Sequence, residues 1–202
     1  MSICYIVGAG ELYGSFAPCD GDLVIAADGG YDNLMKLGVT PDLVIGDMDS
    51  IVSDSAKAER LVYPIKKNET DSFLAYFEGV RRGYSEFLLY GCTGGREDHT
   101  YANYSLLVYA RNHGHKMTLV GKVCDATAIV NESIELHGTP TSHLSVFAFG
   151  GKAQGVSVIG AEYEAENIAL SPDFPLGVSN RFLSTPVTVG VKSGALLIMT
   201  EK

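Results

Sequence analysis

Two aspartates stand one residue apart at the end of an apolar run in "VIGDMDSI", residues 44–51. Two like charges this close are tolerated when a divalent cation lies between them, and without a cation one of the two carboxyl groups should have a raised pKa. Carboxylates unaccompanied by Cys or His are ligands that suit Mg²⁺ rather than Zn²⁺. The pattern therefore predicts that Asp47 and Asp49 bind Mg²⁺.

Glycines and aspartates also follow other strand-like runs of the sequence. The segments are Gly8-Ala9-Gly10, Asp28-Gly29-Gly30 and Gly94-Gly95-Arg96-Glu97-Asp98-His99, and Asp71 begins a helical pattern after "LVYPI". In open α/β sheets, ligands bind beyond the carboxyl ends of the strands. Glycines allow a close approach of backbone to a ligand, and aspartates supply hard oxygen ligands. Together these segments predict a pocket for a metal ion and phosphate groups.

Each of these features has an ordinary structural interpretation when it is taken alone. An isolated D-x-D is usually a solvated turn, Asp71 and Asp98 suit helix N-caps, and Arg96 suits an exposed surface. Their shared position at one predicted sheet edge is what favours a function. A dinucleotide fingerprint is not present, because the glycine after Gly8-x-Gly10 is Gly14, one place late, and the sequence has no P-loop motif.

The first 125 residues alternate between short apolar runs and helical patterns. Strands are predicted at "ICYIV", "DLVIAA", "DLVIG", "RLVYPI", "EFLLYG" and "KMTLVG", all apolar on both faces. A helix is predicted at "TDSFLAYFEGVRRG", capped by its threonine or aspartate and ended by Gly83. A second, largely buried helix is predicted at "DHTYANYSLLVYARNHG". This alternation predicts an α/β domain with a mainly parallel sheet and flanking helices over residues 1–125.

After residue 125 the pattern changes to short alternating segments with frequent glycine. Examples are "SHLSVFAFGG", "GVSVIGAEYE" and "TPVTVGVKSGALLIMTE". In the last of these, two β runs flank Lys192-Ser193-Gly194, which indicates a hairpin. We therefore expect an antiparallel β-sandwich domain over residues 126–202.

Composition excludes several classes of protein. The chain has 202 residues with a formal net charge of -9, which argues against a nucleic-acid partner and favours a cationic small molecule. No apolar run approaches the roughly 20 residues that span a bilayer, and no secretory signal is readable, so a cytoplasmic location is expected. The four cysteines are widely separated and are expected to be reduced.

Four segments in this order resemble the thiamine pyrophosphokinase family. They are "ADGGYDNLMKLGVTPDLVIGDMDSI", "KNETD", "GGREDHTYANYSLL" and "GVSN", and the resemblance covers nearly the whole chain. It implies an α/β domain followed by a β-sandwich, and a homodimer with shared active sites. It also implies transfer of a pyrophosphoryl group from the co-substrate ATP to thiamine, with release of AMP.

The resemblance also implies roles for particular residues. Mg²⁺ would be held by four aspartates, namely Asp47, Asp49, Asp71 and Asp98. The nucleotide and its phosphates would contact residues of the glycine-rich motifs, namely Asp28, Gly29, Gly30, Gly94, Gly95, Arg96, His99 and Asn103. Ser179 and Asn180 correspond to the part of the β domain that contacts thiamine. The chain has no tryptophan, on which some members stack thiamine, and Phe182 or Tyr163 is the candidate replacement.

Catalysis in such a site depends mainly on positioning and electrostatics, because the thiamine hydroxyl must attack the β-phosphorus of ATP in line. Arg96 is expected to clamp a phosphate, Lys66 or Lys67 to add a charge, and Asp71 or Asp98 to accept the hydroxyl proton. Two alternatives use the same residues. One is a Mg²⁺-dependent phosphohydrolase with water as nucleophile, and the other is a thiamine- or nucleotide-binding protein without catalysis.

Overall fold

The computed structural model describes residues 2–46, 58–64 and 68–202. The chain divides into two compact units. The first unit consists of Met1–Leu106 and Gly114–Lys122, and the second consists of Leu107–His113 and Val123–Lys202. Among the residues described, no helix is both long enough and apolar enough to cross a membrane.

The first unit is built around a parallel sheet. Its elements are β1 (Cys4–Val7), β2 (Leu23–Ala27), α1 (Gly30–Lys36), β3 (Leu43–Gly46), β4 (Glu59–Val62), α2 (Asp71–Arg81), β5 (Glu86–Tyr90), the larger part of α3 (Glu97–Asn112) and β6 (Lys116–Leu119). The residues of α3 from Leu107 onward belong to the second unit. The strands run in the order β4-β3-β2-β1-β5-β6, and every one of these pairings is parallel. The predicted α/β class with a mainly parallel sheet is confirmed.

Burial explains why most of the strands could be predicted. Every residue of β1, β2 and β3 is buried, as expected for strands that are apolar on both faces. The strand β4 differs, because three of its four residues are exposed. Among the described residues it lies at the edge of the sheet and pairs with β3 alone.

Of the three helices in the part of the chain that the structure describes, two were predicted, with one difference. Thr70 caps α2 by accepting a hydrogen bond from the Phe73 backbone N–H, and Gly83 follows its last turn with a φ of 92°. In α3, Leu106 and Ala110 are buried, but Tyr101 is 65% exposed, so the prediction of a largely buried helix was wrong for one face. The seven-residue α1 was not predicted, since it is too short to show a helical repeat.

A buried acid joins the end of α2 to the edge strand β4. Glu78 is only 6% exposed, and its carboxylate accepts hydrogen bonds from Arg81 at 2.6 and 2.7 Å and from Arg82 at 2.7 Å. Arg82 also donates to Glu59 of β4 at 2.9 Å. The Arg81 guanidinium, assisted by Arg82, lowers the pKa of Glu78 below its ordinary value despite burial.

Replacing Glu78 by glutamine should lower the free energy of unfolding by about 1 to 3 kcal/mol at pH 7. Because the folded-state pKa of Glu78 is lowered, its stabilising contribution is present above its ordinary value of 4.5 and is lost as the pH falls through the lowered value. Urea unfolding at pH 7 and at pH 3 measures both effects, and the difference in stability between the two proteins should be smaller at the lower pH. The exposed Asp20, changed to asparagine, is the control. An equal loss of stability for both variants at pH 7 would contradict the role of the buried carboxylate.

The second unit contains antiparallel strands. They are β7 (Cys124–Val130), β8 (Ser133–Leu136), β9 (His143–Ile159), β10 (Ala165–Leu170), β11 (Asn180–Arg181), β12 (Val187–Gly190) and β13 (Ser193–Glu201). The 17-residue β9 pairs through its first part with β11 and β13, and through its last part with β10 and β12. β7 then pairs with β13, and β8 with β12. The antiparallel character of this part is confirmed.

The predicted hairpin around Lys192-Ser193-Gly194 was wrong. The runs on its two sides are the strands β12 and β13, but each of them pairs with a different stretch of β9: Gly190 lies opposite Ser157, whereas Leu197 lies opposite Phe147. Local sequence could not show this, because the pairing partner lies about 40 residues earlier in the chain. Side chains from both groups of strands, including Val146, Val158, Val189 and Leu196, enclose one core.

Candidate active site

The turn after β1 and the turn after β5 are in direct backbone contact. The N–H of Gly8 donates to the Tyr90 carbonyl, and the N–H of Gly10 donates to the Gly91 carbonyl, both at 2.8 Å. A Cβ atom on Gly8 would lie 2.6 Å from the Gly91 oxygen, and one on Gly10 would lie 2.7 Å from it. Glycine is required at both positions, because any side chain would collide with backbone.

A cleft of about 300 Å³ opens beside these turns in the first unit. Its lining comes from the carboxyl ends of β1, β2 and β5 and from the first turns of α2 and α3. The residues that line it are Gly8, Ala9, Gly10, Ala27, Asp28, Asp71, Ser72, Gly91, Cys92, Thr93, Gly95, Arg96, His99, Thr100 and Asn103. The structure thus brings together nine residues from the segments predicted to form the pocket, namely Gly8, Ala9, Gly10, Asp28, Asp71, Gly95, Arg96, His99 and Asn103.

The backbone at Asp28 explains how this carboxylate reaches the cleft. Asp28 follows β2 with a φ of 49°, in the left-handed region, and its N–H donates to the Ile45 carbonyl at 2.7 Å. Gly46, at the end of β3, lies against it, and a Cβ atom there would be 3.0 Å from the Asp28 Cβ. A larger residue at position 46 would therefore displace Asp28. Gly30 has a packing role in the next turn, since its Cβ would lie 1.8 Å from the Val7 oxygen.

Asp71 enters the cleft from the first turn of α2. Thr70 caps this helix and fixes where it begins, so Asp71 is held at the sheet edge with the helix N-terminus behind it. Asp28 and Asp71 are the two carboxylates among the residues that line the cleft. Asp71 belongs to the predicted Mg²⁺ donor set, whereas Asp28 was predicted to contact the nucleotide. The oxygen atoms of both carboxylates are of the type that Mg²⁺ prefers, so the lining of the cleft fits the ion.

The rest of the predicted metal set lies elsewhere or outside the described residues. Asp47 and Asp49, like Lys66 and Lys67, lie outside the residues that the structure describes. Across residues 2–46, 58–64 and 68–202, no three or more His, Cys, Asp or Glu side chains are grouped closely enough to hold a metal. Asp98 does not line the cleft, and its side chain is 65% exposed.

Arg96 and Asp98 form a two-pronged ion pair at the start of α3. Arg96 Nε donates to one carboxylate oxygen of Asp98 at 3.2 Å, and Arg96 Nη2 donates to the other at 2.7 Å. The Arg96 guanidinium lowers the pKa of Asp98, and a hydrogen bond from the His99 N–H assists it. Asp98 is therefore ionised at neutral pH and orients Arg96, which lines the cleft.

Asn103 and Cys92 form the buried wall of the cleft. The Asn103 side chain is 5% exposed, and its amide donates to the Cys92 carbonyl at 2.8 Å. Burial raises the pKa of the Cys92 thiol to about 11, so it lines the cleft as a neutral group. Asn103 was predicted to contact the nucleotide, and its amide nitrogen holds the turn after β5.

All four cysteines are free thiols, as predicted.

In the second unit, the "GVSN" segment forms a tight local structure. Ser179 has a φ of 59°, and its N–H donates to the Ser145 hydroxyl at 3.0 Å. Asn180 is 8% exposed and exchanges two hydrogen bonds with the Tyr163 backbone, at 2.8 and 2.9 Å. The Asn180 side chain therefore orders the loop that carries Tyr163.

The two aromatic candidates for thiamine stacking differ in exposure. Phe182 is completely buried and lies so close to Gly138 that a Cβ there would be 2.6 Å from its ring. It is a core residue and cannot stack on a ligand without leaving the core. Tyr163 is 67% exposed.

Some residues of the cleft were not predicted. Ser72, Thr93 and Thr100 line it, and each is adjacent to a predicted residue or lies one helical turn from one. Asn33, which lies outside the cleft lining but donates hydrogen bonds to the Gly8 and Gly10 carbonyls, was also not predicted, although it stands in the segment "ADGGYDNL". No spacing rule relates an asparagine in a helix to a glycine turn 25 residues earlier.

Comparison with known proteins agrees with this architecture. Residues 20–119 match the family model described as thiamin pyrophosphokinase, catalytic domain, and residues 131–196 match thiamin pyrophosphokinase, vitamin B1 binding domain. The chain is 24% identical over 184 residues to thiamine pyrophosphokinase of Bacillus subtilis, covering 88% of this chain and 86% of that protein.

Solved structures show the same fold. The crystal structure of the Bacillus subtilis thiamine pyrophosphokinase has a TM-score of 0.87 at 22% identity, with 100% of this chain and 99% of that chain covered. Thiamin pyrophosphokinase from Candida albicans has a TM-score of 0.76 at 13% identity, covering 100% of this chain and 89% of that one. Since the two family models together match well over half of the sequence, the chain belongs to the thiamin pyrophosphokinase family of enzymes.

Proposed function

We propose that this protein transfers the pyrophosphoryl group of ATP to the hydroxyl of thiamine in a Mg²⁺-dependent reaction, giving thiamine diphosphate and AMP. Transfer from ATP to thiamine is the known activity of its family. The observation that carries the proposal is the cleft in which a glycine turn, Asp28, Asp71 and Arg96 meet. Residues 1–125 would be the catalytic domain and residues 126–202 the thiamine-binding domain.

The cleft would hold the nucleotide through backbone and carboxylate groups. The glycine turns after β1 and β5 allow phosphate groups to approach the backbone closely. Asp71 would hold Mg²⁺ together with Asp47 and Asp49, and Asp28 would stand beside the nucleotide. Gly29, Gly30 and Gly94 are not among the residues that line the cleft, so we assign them to the shape of the turns. When bound, Mg²⁺ supplies charge neutralisation of the phosphate oxygens.

The reaction is a displacement at phosphorus. The thiamine hydroxyl oxygen forms a bond to the β-phosphorus, while the bond from that phosphorus to the oxygen bridging the α-phosphate breaks and AMP leaves. Arg96 would stabilise negative charge on the transferred group with its guanidinium fork. The hydroxyl proton needs an acceptor, for which we favour Asp71, because Asp98 has a lowered pKa and does not line the cleft.

Thiamine would bind in the second unit, where Ser179 and Asn180 order the surface. We propose Tyr163 as the aromatic residue that contacts the thiamine rings, since Phe182 is buried. An aromatic face attracts a cation such as thiamine, and the chain carries a net charge of -9. Asn180 would act by holding the Tyr163 backbone.

Replacing Tyr163 by alanine should raise the KM for thiamine about tenfold and leave the KM for ATP unchanged, because a cation on an aromatic ring gains about 1 kcal/mol or more. Phenylalanine at this position should preserve the KM for thiamine. Steady-state kinetics with each substrate varied in turn provides the measurement. The matched control is Phe174→Ala, which removes an equally exposed ring of the second unit. A rise in the KM for ATP instead would contradict the assignment.

Incubation with Mg²⁺, ATP and thiamine tests the proposed function directly. AMP and thiamine diphosphate should appear in equal amounts, and neither should form without thiamine. Release of inorganic phosphate without an acceptor would support the phosphohydrolase, and binding without turnover would support the non-catalytic alternative. The homodimer with shared active sites and the cytoplasmic location belong to the same proposal, and the absence of nucleic-acid and membrane partners stays a prediction.

A further inference from the structure

An asparagine in α1 holds the glycine turn of the cleft. The Asn33 side-chain nitrogen donates to the Gly8 carbonyl at 3.0 Å and to the Gly10 carbonyl at 2.7 Å. One amide group therefore fixes two peptide units that are separated by a single residue. Asn33 does not line the cleft itself, so it acts on the cleft through this turn.

Asn33 lies in a helix, α1, that is packed against the core of the first unit. Its neighbours in α1, Tyr31 and Leu34, are 2% and 0% exposed, which fixes the helix against the core of the first unit. Gly91 closes the other side of the turn, since a Cβ there would lie 2.6 Å from the Gly8 oxygen. The two carbonyl groups are thus held between Asn33 and the turn after β5.

This arrangement determines where the N–H groups of the turn point. The Gly8 and Gly10 N–H groups are already bonded to the end of β5. A trans peptide places its N–H opposite its carbonyl, so fixing the Gly8 and Gly10 carbonyls on Asn33 turns the N–H groups of Ala9 and Glu11 away from α1. Backbone N–H groups presented by a turn are ready donors to phosphate oxygen, and Ala9 lines the cleft.

We infer that Asn33 is a positioning residue for ATP: it holds the Gly8 and Gly10 carbonyls so that the turn donates its N–H groups to a phosphate of the nucleotide. The inference rests on the proposed function, because it names a determinant of nucleotide binding in the same cleft. It assigns no contact between Asn33 and the substrate, and it predicts an effect on ATP without an effect on thiamine.

Three variants of Asn33 separate positioning from a role in folding. Asn33→Leu removes both donors at similar size and should raise the KM for ATP about tenfold, the equivalent of about 1.4 kcal/mol. Asn33→Asp places a carboxylate against two carbonyl oxygens and should raise the KM for ATP further. Asn33→Gln keeps the donors and should recover most of the affinity. The KM for thiamine should stay within about twofold of the wild-type value in all three.

The aspartate variant adds a pH test of the two hydrogen bonds, and the KM for thiamine, which should stay unchanged across the same pH range, separates positioning from a structural role. The facing carbonyl oxygens should raise the pKa of the new carboxyl group, and its protonated form donates to one of them. Its defect in the KM for ATP, relative to wild type, should therefore shrink as the pH is lowered from 8 to 6. A defect in the KM for ATP that grows as the pH is lowered would overturn the inference.

Lys36→Ala, an exposed change in the same helix, is the matched control, and thermal unfolding of every variant reports on folding. Titration with Mg²⁺ and a non-hydrolysable ATP analogue measures nucleotide binding without turnover. If the wild type binds the analogue but makes no AMP with thiamine, the proposed function fails. Weaker binding of the analogue by Asn33→Leu would still support the positioning role of Asn33. If the wild type is active and Asn33→Leu binds the analogue equally well, the inference alone is overturned. A parallel rise in both KM values with a lower melting temperature also overturns it.

Discussion

Replacing Asp71 by asparagine is expected to lower kcat by about a thousandfold or more. The amide keeps the size of the side chain but removes the charge that would hold Mg²⁺ and the base that would accept the thiamine proton, and such electrostatic groups supply much of the rate enhancement in phosphoryl transfer. The rate of AMP release with saturating Mg²⁺, ATP and thiamine measures the effect. Thermal unfolding should change little, because Thr70, rather than Asp71, caps α2.

The control for this variant is Glu69→Gln. It removes an exposed carboxylate two residues earlier in the same segment and should retain nearly full activity. The contrast separates the specific role of Asp71 from a general loss of negative charge near the α2 N-terminus. Activity of Asp71→Asn within tenfold of the wild type would remove Asp71 from the proposed mechanism, and retained nucleotide binding without turnover would support its part in the chemical step.

Replacing Arg96 by alanine should lower kcat/KM for ATP about a hundredfold. Arg96 is the arginine that lines the cleft among the described residues, and its planar fork suits phosphate oxygen. Arg96→Lys keeps the positive charge but not the fork, so it should recover only part of the loss. Initial rates over a range of ATP concentrations distinguish weaker binding from a slower chemical step. Equal activity of the lysine variant and the wild type would contradict the forked contact.

The Arg96–Asp98 pair can be separated by a double-mutant cycle. If Asp98 acts by orienting Arg96, Asp98→Asn should lower kcat/KM for ATP about three- to tenfold, and it should have almost no further effect when Arg96 is already alanine. If Asp98 binds the metal, as the sequence resemblance implies, the loss should be as large as for Asp71→Asn and should persist in the Arg96→Ala background. The cycle therefore assigns Asp98 to one of two roles.

Much of the first unit could be predicted, because the strand pattern predicts the parallel sheet and the sheet predicts where the polar residues meet. Strands buried on both faces are recognisable as continuous apolar runs, and parallel strands bring their carboxyl ends to the same edge. This reasoning from the sequence groups Asp28, Asp71 and Arg96, and the cleft contains all three. It could not anticipate that Asp98 turns toward Arg96, because a pairing between neighbouring side chains depends on the exact start of α3.

The features that could not be predicted depend on contacts between distant segments. Asn33 bonds to a turn more than 20 residues away, and nothing in its local sequence marks it as different from any polar helix residue. Asn180 was predicted to contact thiamine. In the structure its side chain forms hydrogen bonds with the Tyr163 backbone and so orders the loop that carries Tyr163. Likewise, the two β runs that flank Lys192 have the pattern of a hairpin, but each of them pairs with a different stretch of the long strand β9.

The long strand β9 also determines how the second unit can unfold. Its first half belongs to one set of strands and its second half to another, so neither set can open fully without disturbing the same continuous backbone. Partial unfolding of one layer alone is therefore costly, and the layers should be lost together as a single cooperative foldon. The thiamine-binding surface proposed for this unit should therefore keep its shape until the whole unit unfolds.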